Sequence, residues 1–233
     1  MRAPTAGPGP VSIRDYTAED ERAWLDCWAR LTVTSHAWGL PAYQSKPRYA
    51  RAAVELVTVP VPVGAAPIVG LIDVEIEDKP GELGLLTESR CGFVWELGLA
   101  PEYRGLGLGR RLVAAAAERL RDRGIGRMEF WSMDEKAQAF YERLGMREIN
   151  RHWRFWVRPV PDSVVEALRA ARGGLAGPAD RPDGLTPGLG SLAVAVLHAT
   201  CDVADWPAVQ EALPVATEPP LEPHLCRGFD YRF

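Results

Sequence analysis

Three stretches of the sequence predict an α/β fold. Cys91–Leu99 is rich in strand formers and passes through a turn of alternating glycines into an alanine-rich segment. There Leu108, Leu112, Ala116 and Leu120 recur every fourth residue, one stripe of a helix. Val11–Tyr16 alternates like a strand, and Thr17 with Asp20 then makes a capping box opening a helix whose buried stripe is Trp24, Leu25, Trp28 and Leu31. Val54–Val63 and Ile68–Glu77 read as paired strands joined by a Pro/Gly connection.

The 233 residues, 47% hydrophobic and 25% charged, suit one generous domain or two small ones. A net charge of −4 supplies no global attraction to nucleic acid or to an anionic membrane. The apolar run over residues 54–77 is interrupted by Glu55, Pro60, Pro62, Gly64, Pro67 and Asp73, which excludes a transmembrane helix there. Cys27, Cys91, Cys201 and Cys226 are scattered with no C-x-x-C pair, so they are expected to be buried free thiols. Residues 1–10 are Gly/Pro/Ala-rich and lack the apolar core of a signal peptide, which predicts a flexible leader on a cytoplasmic protein.

The remaining elements follow in order. Thr32–Ala50 is polar and aromatic with poor periodicity and is expected to be a loop. In the strand Ile68–Glu77, Asp73, Glu75 and Glu77 share one face, which is expected to be solvated; the alternative is a row of acids that draws a cationic amine. Asp78-Lys79-Pro80-Gly81 marks a turn before a loop that reaches Arg90. Arg127–Met133 reads as a short strand. A short helix follows, N-capped by Asp134 or by Ser132, with Gly145 as its stop and Ala137, Phe140 and Leu144 on one face. Arg147–Arg158 alternates, with Ile149, Trp153, Phe155 and Val157 on one side, and closes the domain. Beyond it, Pro161-Asp162-Ser163 opens a helix to about Arg172, and Gly173–Gly190 is a Gly/Pro-rich linker. Leu192–Thr200 is a strand candidate, Asp205-Trp206-Pro207 starts a helix to about Leu213, and Phe229–Phe233 is a final strand. This extension is too small for a large core of its own. It is expected to pack back on the first domain or on a second subunit, as in a homodimer.

The chemistry concentrates after the central strand. Gly105, Gly107 and Gly109 permit φ > 0 and keep side chains off the backbone, so consecutive N–H groups can face one concavity. The unpaired N–H groups of the helix's first turn add positive potential, and the combination suits a phosphate or pyrophosphate. A Walker loop would need Gly-Lys-Ser/Thr where Gly109 is followed by Arg110-Arg111, and a dinucleotide fingerprint would need G-x-G-x-x-G. Neither is present. Arg104-Gly105-Leu106-Gly107-Leu108-Gly109, preceded by Leu97-Gly98-Leu99-Ala100-Pro101-Glu102-Tyr103, resembles the coenzyme A pyrophosphate loop of the GNAT superfamily of N-acetyltransferases. Ala137-Gln138-Ala139-Phe140-Tyr141-Glu142-Arg143-Leu144-Gly145-Met146 is similar to the same family's A-x-x-F-Y-E-x-L-G-F segment.

The resemblance covers roughly Val11–Val157. It implies a mixed, mostly antiparallel twisted sheet, splayed at the cofactor site and flanked by helices, with residues 11–158 as the acetyltransferase domain and residues 159–233 as a C-terminal α/β extension. It implies acetyl-CoA as cofactor, held by Arg104, Gly105, Leu106, Gly107, Leu108, Gly109 and Arg110, by the main chain of Leu97, Gly98 and Leu99, and by Phe140. No metal is required. Gly98 is expected to let the strand bulge or splay. Asp134 stands where the family often has an asparagine facing the cofactor; a carboxylate accepts but cannot donate, so Asp134 is left with its capping role and that contact is open. Tyr141 matches the tyrosine that protonates the leaving thiolate, a transfer between groups of neighbouring reference pKa, ~10 and ~8.5. An amine acceptor is mostly protonated at neutral pH, and Glu96 on the central strand is the candidate base that removes its proton. His36 and Trp38 lie in the loop that borders the family's acceptor pocket and are the candidate acceptor contacts. The implied activity is acetyl transfer to the primary amine of a small molecule by direct attack in a ternary complex. The alternatives are a protein N-terminus or lysine as acceptor and, from another class, an acyl-CoA-binding sensor without turnover.

Overall fold

The computed structural model describes residues 9–34, 45–61, 67–157, 197–212 and 221–233, which divide into two compact units. The first is built from the described residues of Met1–Pro80, Glu88–Met128 and Arg232–Phe233, the second from those of Gly81–Thr87 and Glu129–Tyr231. Among the described residues no helix is long and apolar enough to cross a membrane. His36, Trp38, the leader up to residue 8, the expected helix after Pro161 and the Gly/Pro-rich linker lie outside the described residues.

In the first unit β1 (Val11–Asp15), β2 (Ala53–Pro60), β3 (Gly70–Ile76) and β4 (Gly92–Leu99) lie side by side in that order, each pair antiparallel. Helix α1 (Glu21–Val33) follows β1 through a short 3-10 turn, and α2 (Leu108–Arg121) follows β4. Trp24, Cys27 and Trp28 of α1 pack on Val57, Val59 and Leu71 on one face of the sheet. On the other face, α2 lies against β2, β3 and β4, with Leu108, Leu112, Ala116 and Leu120 buried as the four-residue spacing requires. Both faces of β3 are therefore covered, and every residue of the strand is buried.

That coverage overturns the expectation of a solvated acidic face. Asp73, Glu75 and Glu77 are 0%, 4% and 0% exposed, and each has found partners that the strand's own sequence does not reveal. Asp73 Oδ2 accepts from Tyr49 Oη and from Lys46 Nζ, both at 2.9 Å. Glu75 accepts from the Arg51 backbone N–H at 3.0 Å and from Trp95 Nε1 at 2.9 Å, and Glu77 accepts from the Cys91 N–H at 2.9 Å. Buried charge is tolerated only when it is paired and hydrogen-bonded in this way.

The entry into α1 is as the sequence dictates. The Thr17 N–H donates to Asp20 Oδ2 at 2.8 Å, and Arg14 donates to both oxygens of that carboxylate at 2.7 Å. The Arg14 bonds chiefly, with those of Thr17, hold Asp20 down to about 2. A carboxylate whose folded pKa lies below its unfolded value of ~3.9 contributes stability above that value and loses it as pH falls towards 2. Asp20→Asn is expected to destabilise the protein by about 1–2 kcal/mol at pH 7, and urea unfolding should show the difference from the parent closing between about pH 4 and pH 2.

The strands that lie wholly or mostly in the second unit run β5 (Arg127–Ser132), β8 (Leu221–Arg232), β6 (Arg147–Val157), β7 (Leu197–Asp202), with α3 (Glu135–Arg143) after β5 and α4 (Trp206–Ala212) after β7. Both strands of the C-terminal extension pair antiparallel with β6, one on each edge. The final strand is longer than the expected Phe229–Phe233. Register shifts in β6 at Glu148/Asn150 and Arg154/Trp156 break its simple alternation, so His152, not Trp153, is fully buried. Cys27, Cys91 and Cys226 are buried free thiols, and burial above all pushes the Cys27 thiol up to about 12.

Candidate active site

Strand β4 and the turn after it, in the first unit, carry most of the candidate residues. Burial gives way along β4: Gly92–Val94 are buried, Trp95 is exposed, and Glu96–Leu99 are half-buried. The register to β3 shifts by one residue, with Val94 opposite Val74 but Glu96 opposite Asp73, so Trp95 is an extra residue in a β-bulge. Without it Glu96 would share the face of Val94, towards α2. With it, Glu96 turns to the face of Asp73, which is itself opposite Glu55, and three carboxylates line up across β2, β3 and β4.

That row is closed by Lys46 and Tyr49, from the end of the stretch expected to be a loop. Lys46 Nζ pairs with Asp73 at 2.9 Å and with Glu55, and it stands 4.8, 5.1 and 4.9 Å from the ring centres of Tyr16, Trp24 and Tyr49. Burial first, then the neighbouring Asp73, raises the Tyr49 phenol far above its ordinary value, and Glu96 adds to the rise. Lys46, Tyr49 and Arg51 were missed because no period marks them and they stand 24 or more residues before Asp73 and Glu75, the strand β3 acids they meet.

Gly98 has a different task from the one expected. It pairs in register with Leu71, outside the bulge, and a Cβ there would come within 2.5 Å of Leu31 Cδ1. Its lack of a side chain lets α1 lie close on the strand.

Beyond β4, Pro101–Tyr103 makes one 3-10 turn, and Gly105 and Gly107 take φ of +78° and +75°, a region costly for other residues. Gly107 is the N-cap of α2. A Cβ at either glycine would meet nothing within 4 Å, so the space beside this backbone is open. Gly109 is inside α2 and Leu108 buries its side chain, so these two present only main chain at the helix N-terminus. Leu106 and Arg110 are exposed. Arg104 is drawn back along the chain: Nε donates to the Leu99 carbonyl at 2.9 Å and Nη2 to Thr34 Oγ1 at 2.8 Å, tying the loop to β4 and to the end of α1.

The second unit carries Tyr141, on α3. The helix is capped by Asp134, whose Oδ1 accepts from the N–H groups of Lys136 and Ala137 at 2.7 and 3.3 Å; Ser132 instead accepts from the Asp134 N–H. Its buried residues are Gln138 and Tyr141, while Ala137, Phe140 and Leu144 are half-buried, so the inward face is turned from the one the apolar spacing suggested. Gln138 Nε2 fixes that rotation by donating to the carbonyls of Ser132 and Leu225 at 2.9 and 2.8 Å. Tyr141 is packed by Phe130, Phe229 and Phe140, at ring-centre distances of 5.1, 5.3 and 5.7 Å. Burial, then the charge of Asp134, raises its phenol well above the ordinary value. Phe229, part of this packing, comes from β8, beyond the segment that carries the sequence resemblance.

Residues 14–146 match the acetyltransferase (GNAT) family model. The chain belongs to that family. It is 31% identical over 170 residues to a mycothiol acetyltransferase of Salinispora tropica, an alignment covering 65% of this chain and 52% of the relative. The chain thus spans about half the length of the curated relatives it matches. Among solved structures, a GNAT-family acetyltransferase of Staphylococcus aureus Mu50 aligns with TM-score 0.47 and 15% identity, over 60% of this chain and 86% of that one. A GCN5-related glucosamine N-acetyltransferase region of a fungal multi-domain β-N-acetylglucosaminidase aligns with TM-score 0.48 and 20% identity, over 71% and 21%. The cofactor of the family is acetyl-CoA, and the loop fits it: two glycines held at positive φ, open space where their side chains would stand, and the N-terminus of a 14-residue helix.

Proposed function

We propose that this chain transfers the acetyl group of acetyl-CoA to the primary amine of a small molecule, by direct attack in a ternary complex. The observation that carries the reading is the left-handed pair Gly105 and Gly107 at the start of α2, directly after a strand whose bulge re-aims Glu96. The relatives named mycothiol acetyltransferase support a small-molecule acceptor.

Acetyl-CoA supplies a thioester carbonyl open to an amine. The backbone N–H groups from Gly105 to Arg110 bind the pyrophosphate, with Arg104 fixing the entry of the loop, and Leu97–Leu99 offer main-chain groups to the pantetheine arm. Phe140 lends an apolar edge, and Asp134 acts through the cap of α3. Glu96 takes a proton from the acceptor nitrogen onto a carboxylate oxygen, which leaves a lone pair free to attack. Tyr141 holds its proton at Oη. Its raised pKa keeps the donor form populated through the whole neutral range, at the expense of a more uphill transfer than free phenol would require.

Two substitutions test the assignments. Tyr141→Phe keeps the packing against Phe130 and Phe229 and is expected to lower kcat by about 10²–10³-fold with little change in acetyl-CoA affinity. Glu96→Gln is expected to lower kcat/KM by about 10²-fold at pH 7 and to recover part of that loss at higher pH, where the amine arrives unprotonated. The activity itself is read by incubating the protein with acetyl-CoA and a panel of aminoglycosides, polyamines, amino acids and peptides, following thiol release and product mass together. One small amine gaining an acetyl mass supports the reading. Acetylation of peptides alone would replace it with a protein acceptor, and tight coenzyme A binding with no acetylated product would leave a sensor.

A further inference from the structure

Trp95 is out of place in a buried strand. It is 41% exposed, directly after three buried residues and directly before Glu96. Neighbours in a strand point to opposite faces. The bulge cancels that rule here: Glu96 stands opposite Asp73, and the Trp95 indole reaches Glu75, which lies two residues from Asp73 and so on the same face. The two side chains therefore belong to one side of the sheet.

The indole is also fixed. Nε1 donates to Glu75 Oε2 at 2.9 Å, and the ring meets Phe93 edge-on at 4.9 Å between centres. Glu75 is held in turn by the Arg51 N–H at 3.0 Å and by Arg51 Nη1 at 3.4 Å. An exposed aromatic face whose orientation is already set loses little entropy when something stacks on it. Beside it sits a carboxylate, and indole is the best of the aromatic partners for a cation.

We propose that Trp95 and Glu96 together dock the acceptor as an ammonium ion, the indole face by a cation–π contact and the carboxylate by charge, so that the acceptor is a cationic aliphatic amine. The word acceptor rests on the acetyl-transfer reading above; the docking of an ammonium does not. The chemistry fits the order of events, because a primary amine with a reference pKa near ~10.4 arrives charged, binds as the cation, and passes its proton from nitrogen to a Glu96 oxygen before attack. The same unit already holds one ammonium by the same means: Lys46 Nζ, among Tyr16, Trp24 and Tyr49 with Glu55 and Asp73. Glu75 acts through Trp95 as a positioning residue.

The test is binding, read by NMR on the full chain with n-butylammonium chloride and n-butanol as matched probes. The indole N–H resonance of Trp95 is assigned by its loss in Trp95→Phe. It should move on titration with n-butylammonium and stay in place with n-butanol. Followed on the Gly98 amide, the n-butylammonium Kd should rise about tenfold in Trp95→Ala and only two- to threefold in Trp95→Phe, which keeps an aromatic face. It should also rise in Glu96→Gln. A Trp95 resonance that ignores n-butylammonium, or that answers n-butanol equally, overturns the proposal. An acetyl-CoA titration on the same samples separates the two readings: acetyl-CoA binding without an ammonium response defeats the docking pair alone, and an ammonium response without acetyl-CoA binding defeats the transferase reading alone.

Discussion

Lys46→Met is expected to lower the stability of the protein by about 3–5 kcal/mol at pH 7, the largest loss from any single side chain considered for this fold. The substitution preserves the length and apolar character of the stem, so the three rings around it keep much of their packing. What disappears is the charge. Asp73 is fully buried and, among the described residues, keeps only the Tyr49 hydroxyl on its Oδ2, and Glu55 loses the same partner. Burial already raises the Asp73 carboxyl, against the opposing pull of Lys46. Without that pull its folded pKa rises further above the unfolded value of ~3.9, so the variant keeps Asp73 protonated in the fold. For a carboxyl shifted upwards, stability falls as pH rises above the unfolded pKa. The deficit should therefore be largest near neutrality and shrink as the solution is brought towards pH 4. Urea unfolding of parent and variant at pH 7 and near pH 4.5 checks both the size and the sign, and Lys46→Met with Asp73→Asn should recover much of the loss because an amide is neutral in both states and folding then requires no proton uptake at that position. A deficit that does not depend on pH would mean the cage holds Lys46 by packing alone.

The same cluster shows where the sequence is readable and where it is not. Among the described residues, several elements announced by local signals are present: the Thr17/Asp20 box before α1, the four-residue stripe of α2, the strand Arg127–Ser132 and the helix at Trp206. Each depends on residues within a few positions of one another. The alternation of Asp73, Glu75 and Glu77 is equally local, yet it misled, because alternation reports only that two faces differ and not that one of them is wet. The residues that bury those acids, Lys46, Tyr49 and Arg51, obey no period. The bulge at Trp95 is silent for a related reason: it contains neither glycine nor proline and appears only when β4 is laid against β3. Pro223 worked the other way. A proline argues against a strand interior, yet the final strand begins well before the expected Phe229 and includes Pro223, which falls beside the register shift at Arg154/Trp156, where a missing N–H is tolerated. For the candidate site this means that the glycine loop and the helix of Tyr141 were legible, whereas the orientation of Glu96 and the contribution of Phe229 were not.

Gly107→Asp is expected to weaken acetyl-CoA binding about a hundredfold while leaving the fold nearly intact, and the reason both can be true lies in the conformation of this one residue. Gly107 has φ of +75° and ψ of 0°, and nothing stands within 4 Å of the position a Cβ would take. No steric clash opposes a side chain. The only penalty is the left-handed backbone, which Asp and Asn tolerate better than other residues, for about 1 kcal/mol. A carboxylate at the N-cap also suits the positive end of α2, which offsets part of that penalty. The same features make it an occupant of the anion site: it takes the N–H groups that a pyrophosphate would use and sets a like charge within roughly 5 Å of it, a repulsion of about 3 kcal/mol at an effective dielectric constant near 20. Gly107→Asn separates the two effects, since it shares the backbone strain and the competition for N–H groups but carries no charge. Calorimetric titration with acetyl-CoA should rank the parent first, Gly107→Asn about tenfold weaker and Gly107→Asp about tenfold weaker again, with added salt narrowing the last gap by screening. Equal affinities for the two variants at unchanged unfolding midpoints would mean that no phosphate approaches Gly107, and the loop would then be a helix-capping turn without a ligand.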